Sequence, residues 1–287
     1  MDAAIYRLPE ECVAQAIGMT TPGDSDAVWD RFLPRDHAAV LARADDDGAH
    51  IQCSKKELFT RLCSRPVLLD GATMSFGLDR RSGAKCWMLS ARALSIVWGD
   101  DPTCWTWTAD HPGSRFPEVA ELVDVCWLEI TGKMQLSLLS PRITYAAYLV
   151  FSIADDSYGL ECNIGMLPPK STVTVVVSGN IKTTSTSTEH TICLQHMHGE
   201  EEIAMHRRRQ EYVRPRKNYG WKVVREADMD IKCPRRRTDG WTEVELGEFA
   251  MAGEEEGVVE VSLKEVECRR WKRGLIVQGI DIRPKTY

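Results

Sequence analysis

The apolar positions change their spacing near residue 70. Upstream they recur three and four apart in short runs, the period of a helix face. Val13, Ala16 and Ile17 form one such face, with Pro9 at its start, Glu10 and Glu11 in its first turn and Gly18 at its end. Proline suits the first helical position because its missing N–H would be unpaired there anyway, and the two carboxylates favour the positive end of the helix dipole. Val28, Trp29, Phe32 and Leu33 form a second face, stopped by Pro34. Ser54-Lys55-Lys56-Glu57 reads as a capping box, followed by Leu58, Phe59 and Leu62 on one side. Between them, Thr21-Pro22-Gly23-Asp24 is a turn and Asp45-Asp46-Asp47-Gly48 an exposed loop.

Beyond residue 84 the period becomes two. Leu128, Ile130, Met134, Leu136 and Leu138 alternate with Glu129, Thr131, Lys133, Gln135 and Ser137. Successive strand side chains point to opposite faces, so this pattern predicts a half-buried strand. Tyr145, Ala147, Leu149, Phe151 and Ile153 continue the theme, Thr172 to Val177 is almost entirely β-branched, and Val244 with Leu246, Val259 to Leu263 and Leu275 to Ile282 give three more strands. Short strands separated by Gly, Pro and Asp turns predict a mainly β fold, a sandwich or jelly roll. The Ser/Thr run from Thr183 to Thr188 is expected as an exposed loop. The chain thus divides into a small helical segment and linker over 1–70 and a β-sandwich domain over 71–287.

Composition narrows the function classes. No apolar run approaches the roughly 18 residues of a spanning helix, so no membrane partner is expected. The N-terminus lacks a basic and then apolar leader, and the ten cysteines sit singly without CxxC spacing. They read as reduced thiols of a cytoplasmic and nuclear protein. A net charge of −6 opposes a nucleic-acid partner. Arg207 to Arg209, Arg214 to Lys217 and Arg235 to Arg237 are then basic loops and strand ends that favour solubility. Cys193, His196, His198 and His206 fit no standard metal spacing and read as an exposed loop, so no metal or other cofactor is expected. No phosphate-binding glycine loop, nucleophile elbow or HExxH is present, and a non-catalytic protein is expected.

Nine tryptophans are the positive signal. Leu94 to Trp98 reads as a strand, Gly99-Asp100-Asp101-Pro102 as a turn, and Trp105-Thr106-Trp107 as the start of a second strand. A hairpin would bring Trp98 and Trp105 together at one end of a sheet. An indole face covers the apolar C–H face of a sugar and nearby carboxylates accept from its hydroxyls. Filling a sandwich core explains the same residues equally well, and spacing leaves both readings open.

Ala91 to Pro102 followed by Trp105-Thr106-Trp107 resembles the opening of the plant phloem-protein-two lectin domain. Phe116 to Leu122, Cys126 to Lys133, Tyr145 to Phe151, Arg236 to Glu248 with Asp239-Gly240-Trp241, and Trp271 to Pro284 continue the resemblance in the family's order. It implies a jelly-roll-like β-sandwich that binds N-acetylglucosamine oligomers or N-glycan cores. It places the family's two aromatic sugar-site positions on Trp98 and Trp105 and one acidic position on Glu265. The other acidic position falls on Val258, which accepts no hydrogen bond, with Glu256 and Glu260 nearby. Glu265 shares the parity of Val259, Val261 and Leu263; this fits a carboxylate at the rim of a site, and a β-bulge is the alternative.

The N-terminus resembles the F-box found in one branch of that family. Leu8 to Cys12 and Asp24 to Pro34 match its two ends, and Ile51 with Lys56 to Pro66 the linker beyond. The resemblance implies docking of Leu8, Pro9, Val13 and Ile17 on a Skp-type adaptor of a cullin ubiquitin ligase, with the lectin domain selecting a glycoprotein. The family's middle F-box segment is missing, since Pro22-Gly23-Asp24 joins the ends directly. A ten-residue helix spans about 15 Å, so its loss removes much of the apolar docking surface. The expected function is therefore carbohydrate binding in a protein resembling an F-box substrate receptor. The alternative is a protein–protein interaction module in ubiquitination whose sugar site has decayed.

Overall fold

Three short helices precede the strands in the computed structural model, which describes residues 26–45, 53–161, 168–178, 184–195, 231–267 and 270–285. They are α1 (Asp26–Trp29), α2 (His37–Leu41) and α3 (Lys55–Ser64). The capping box of α3 is formed: the Ser54 hydroxyl accepts from the Glu57 N–H at 3.3 Å, and the Glu57 carboxylate accepts from the Ser54 N–H at 2.9 Å. Two donors that a helix start leaves unpaired are thereby satisfied. Phe59 and Leu62 are buried, and Trp29 meets Phe59 and Phe32 at ring-centroid distances of 5.4 and 5.7 Å. None of the described helices is long and apolar enough to cross a membrane.

In chain order the strands are β1 (Val67–Leu69), β2 (Met74–Leu78), β3 (Lys85–Ser90), β4 (Ser95–Ile96), β5 (Trp105–Ala109), β6 (Glu118–Leu122), β7 (Leu128–Gln135), β8 (Thr144–Tyr158), β9 (Lys170–Val177), β10 (Thr184–Ile192), β11 (Ile231–Lys232), β12 (Arg235–Arg236), β13 (Thr242–Ala250), β14 (Gly257–Glu265) and β15 (Arg273–Pro284). They form two sheets. The larger runs β1-β2-β3-β15-β8-β13-β12, with β6 also on β15 and β5 on β6; the smaller runs β11-β10-β9-β14-β7-β4. Inward side chains of both sheets, among them Leu149, Phe151, Val173, Val261 and Ile280, share one core. This is the jelly-roll-like β-sandwich that the period of two anticipates.

The same core takes in Trp29, Leu33, Val40, Leu41, Phe59 and Leu62 from the helices. β1 starts before the expected boundary at residue 70 and pairs with β2, and the nearly buried Lys85 of β3 reaches Asp36 at 2.8 Å. The described part of the helical segment is thus packed onto the large sheet.

Strand burial follows position in the sheets. Along β7, Leu128, Ile130 and Met134 are buried while Lys133 and Gln135 are exposed, as the alternation requires. β8 is buried continuously from Tyr145 to Phe151. Its odd positions face the sandwich core; on the other face Val150 joins an outer cluster with Met88, Phe116, Val119, Trp241 and Ile276. The Ser/Thr run is corrected from loop to strand. Thr184 to Ile192 is β10, in register with β9 from Thr184↔Val177 to Thr191↔Lys170. Threonine is a good strand former, and six exposed residues in a row show that partner pairing, not burial, orders it.

The edge of the large sheet carries an ion-pair network. Glu243, 3 % exposed, accepts from Arg235 (2.7 Å), Arg237 (2.7 Å) and Arg283 (2.6 Å), and Asp281 accepts from Arg237 (3.1 Å) and Arg283 (2.5 Å). Burial alone would raise the Glu243 pKa, but the Arg283 hydrogen bond and the surrounding guanidinium charge prevail and lower it to about 2.

Candidate binding site

β4 ends where Val97 donates its N–H to the Glu129 carbonyl at 3.1 Å, and the next residue is Trp98. Trp98 turns the chain with a φ of 58°, a left-handed conformation that a bulky residue rarely adopts. Its carbonyl accepts from Asp101 N–H at 3.0 Å, closing the turn, and its side chain is 45 % exposed. Both neighbouring carbonyls are held by indoles from β5. Trp105 donates its ring N–H to Val97 at 3.2 Å, and Trp107 donates to Gly99 at 2.9 Å. The Arg92 guanidinium lies 3.6 Å from the Trp107 ring centroid and grips Glu118 through two bonds of 2.8 and 3.0 Å. Trp98 is therefore an exposed side chain on a turn whose flanking carbonyls are both hydrogen-bonded.

Trp105 is placed differently from the expectation. β4 belongs to the small sheet and β5 to the large one, so no hairpin joins them. Trp105 is only 2 % exposed and offers no free face to a ligand; its contribution here is the bond that holds Val97. Of the two readings left open for the tryptophans, core filling holds for Trp105, while Trp98 is exposed.

Glu265 also lies inside. The β14–β7 register runs without a shift from Val258↔Gln135 to Glu265↔Leu128, so there is no bulge and Glu265 keeps the inward parity of Val259, Val261 and Leu263. Its carboxylate pairs with the ammonium of the buried Lys272, which also donates to the carbonyls of Arg270 (2.7 Å) and Cys126 (3.3 Å). The pair ties the end of β14 to the segment leading into β15. Val258 is at the far end of β14, seven residues or roughly 23 Å from Glu265. It therefore shares no site with Trp98; nearby, Glu260 pairs with Lys133 at 2.8 Å.

Three further exposed aromatic residues were not singled out by the sequence. Trp127, Tyr158 and Trp271 are 41, 40 and 56 % exposed. Trp127 donates its indole N–H to Glu129 at 3.2 Å, and Lys264 holds the same carboxylate at 2.7 Å. Those hydrogen bonds, Lys264 first, keep the Glu129 carboxyl below its usual range against the pull of burial. Tyr158 donates its hydroxyl to Asp124 at 2.8 Å, which raises the phenol pKa. Backbone pairing sets these residues side by side: Val125 bridges Lys272, and Arg273 pairs with Tyr158. At Gly159 a Cβ would run into the Trp271 carbonyl, so only glycine permits that approach. Exposure was the missing signal, because a strand-end tryptophan and a core tryptophan look alike in sequence.

The adaptor-docking positions Leu8, Pro9, Val13 and Ile17 lie outside the described residues, as do His196, His198 and His206. Among the described residues no group of three or more His, Cys, Asp or Glu is arranged to hold a metal ion. Of the basic clusters, Arg235 and Arg237 are engaged in the Glu243 network.

Residues 84–284 match the Phloem protein 2 family. Three Arabidopsis thaliana relatives align along nearly the whole chain. F-box protein At2g02240 is 36 % identical over 96 % of this chain and 79 % of its own length. F-box protein PP2-B1 is 35 % identical over 97 % and 89 %, and F-box protein PP2-B15 is 36 % identical over 97 % and 96 %. The alignment with PP2-B1 extends over 309 positions, more than the 287 residues here, so that relative carries residues this chain lacks.

Proposed function

The chain belongs to the phloem protein 2 family, and on that premise we propose that it is a non-catalytic, lectin-type carbohydrate-binding protein that selects glycoproteins for ubiquitination. The observation that carries the sugar-binding reading is Trp98: an outward-facing indole on a left-handed turn, one residue beyond the Val97 that bonds the backbone of Glu129, whose carboxylate accepts from Trp127. Such a face covers the C–H side of a pyranose while carboxylates accept from its hydroxyls. N-acetylglucosamine oligomers or N-glycan cores are the ligand class that the family resemblance implies. The F-box names of the relatives and their alignment along nearly the full chain support a Skp-type adaptor as partner of the N-terminal segment. The free thiols of Cys53, Cys63, Cys86, Cys104 and Cys126 accord with a reducing compartment, the cytoplasm and nucleus.

A glycan array with the purified chain tests the first part. Binding to chitin oligomers or N-glycans that Trp98→Ala abolishes, with the melting temperature unchanged, is the expected outcome; binding unaffected by Trp98→Ala removes this site. A pull-down with a Skp-type adaptor tests the second, and clean failure leaves the chain a lectin only. The burial of Trp105 and of Glu265 favours one further reading, a protein–protein recognition module without sugar affinity. An array without a single ligand, together with adaptor capture, is its signature.

A further inference from the structure

Trp98, Trp127, Tyr158 and Trp271 are the large hydrophobic side chains left exposed among the described residues, and strand pairing places their backbones at one end of the sandwich. Pairing fixes their order. Trp98 follows the point where Val97 leaves Glu129 of β7, and Trp127 immediately precedes β7. The Val125–Lys272 bridge brings the segment before Trp127 beside Trp271, and the Arg273–Tyr158 pair places Tyr158 on the next strand. Adjacent paired segments lie about 5 Å apart, so the row crosses from the small sheet to the large one over roughly 15 Å.

We propose that these four aromatic side chains form one strip that binds an extended oligosaccharide, Trp98 taking one sugar ring and Trp127, Trp271 and Tyr158 the rings that follow. The inference rests on the sugar-binding reading of Trp98 and extends it from a single-ring site to a chain of rings.

An exposed aromatic patch is an interaction site by its energetics, because each ring forgoes burial that the core would reward. Its polar companions say what covers it. The Glu129 carboxylate lies beside Trp127, on the residue whose carbonyl accepts from Val97 next to Trp98, and the Asp124 carboxylate lies beside Tyr158. Each also orients a ring, through the bonds from the Trp127 indole and the Tyr158 hydroxyl. A carboxylate offers about four acceptor sites, so both retain capacity for ligand hydroxyls. An apolar helix or a second copy of the chain laid on this strip would strip water from those charges without supplying donors. A sugar chain alternates apolar ring faces with hydroxyl donors and meets both demands.

Calorimetric titration of the full chain with β-1,4-linked N-acetylglucosamine oligomers of increasing length tests this. Affinity is expected to rise with length. Trp271→Ala and Trp127→Ala should weaken the longest oligomer about tenfold and leave the disaccharide nearly unchanged, whereas Trp98→Ala should abolish both. Both truncated rings are largely exposed, and a melting curve shows whether each variant is folded. Equal affinity at all lengths, with binding still dependent on Trp98, overturns the strip and leaves the single-ring site standing. No binding of any oligomer overturns both. Concentration-dependent self-association that Trp271→Ala removes would assign the strip to a second copy and overturn the proposal.

Discussion

Trp98 sits in a conformation that costs of order 1–3 kcal/mol for a non-glycine residue, so its neighbours must hold it there. The two indole N–H bonds to Val97 and Gly99 do this from both sides. Trp107→Phe keeps an aromatic ring beneath Arg92 and removes one of those bonds. The Gly99 carbonyl is half-buried and can turn to water, so the expected destabilisation is about 1 kcal/mol or less. The larger effect is on Trp98 itself. With fluorotryptophan incorporated, its fluorine resonance should be sharp in the parent protein and broadened in Trp107→Phe, and a resonance equally sharp in both would show that the bond does not set its position. Trp105→Phe is expected to act likewise, with an added loss of stability because its ring is buried. An alanine at either position would confuse a lost clamp with a collapsed core.

Between elements, buried charges link β12, β13 and β15 across the large sheet. Glu243 has a folded pKa of about 2 against an ordinary value of 4.5. A carboxyl whose pKa is depressed by folding contributes stability above its unfolded pKa and loses it as pH falls through the folded one. The contribution, about 3 kcal/mol, should be whole above pH 4.5 and gone near pH 2. The arginines do not titrate there, so the acid limb reports the carboxylates. Glu243→Gln, melted across that range, should be less stable than the parent at pH 7 by about 3–5 kcal/mol and approach it at pH 2; a constant gap at every pH would show that Glu243 is not the titrating group. Strand periodicity was legible in sequence wherever one face is wet, as along β7. It failed for the Ser/Thr strand β10, whose order comes from its pairing with β9, a long-range fact with no local signature. The candidate site divides in the same way. Tryptophan enrichment drew attention to the turn at Gly99, but the assignment of β4 and β5 to opposite sheets separates the exposed Trp98 from the buried Trp105. For Glu265 the inward parity was visible, while the lysine that makes it tolerable, Lys272, lies beyond the end of the strand with no local pattern to link the two.

At the scale of the whole molecule, the change of period near residue 70 reads as a domain boundary, yet the turn there lies between two paired strands, β1 and β2. Upstream of it Trp29, Leu33, Phe59, Leu62, Val67 and Leu69 are all buried in the core that also holds Phe76 and Trp87. Each side chain of this kind contributes roughly 1.5–3 kcal/mol on burial, and the total stability of a domain is about 5–15 kcal/mol. Their loss uncovers Phe76 and Trp87 in the core they share, and exposing two such side chains costs roughly 3–6 kcal/mol, comparable with that margin. It also opens β2 as an unprotected edge. A chain begun at residue 71 should therefore aggregate or bind a hydrophobic dye, whereas one begun at residue 26 retains every one of these contacts. A sharp melting transition for the shorter chain, at the temperature of the longer one, would show that the sandwich folds alone.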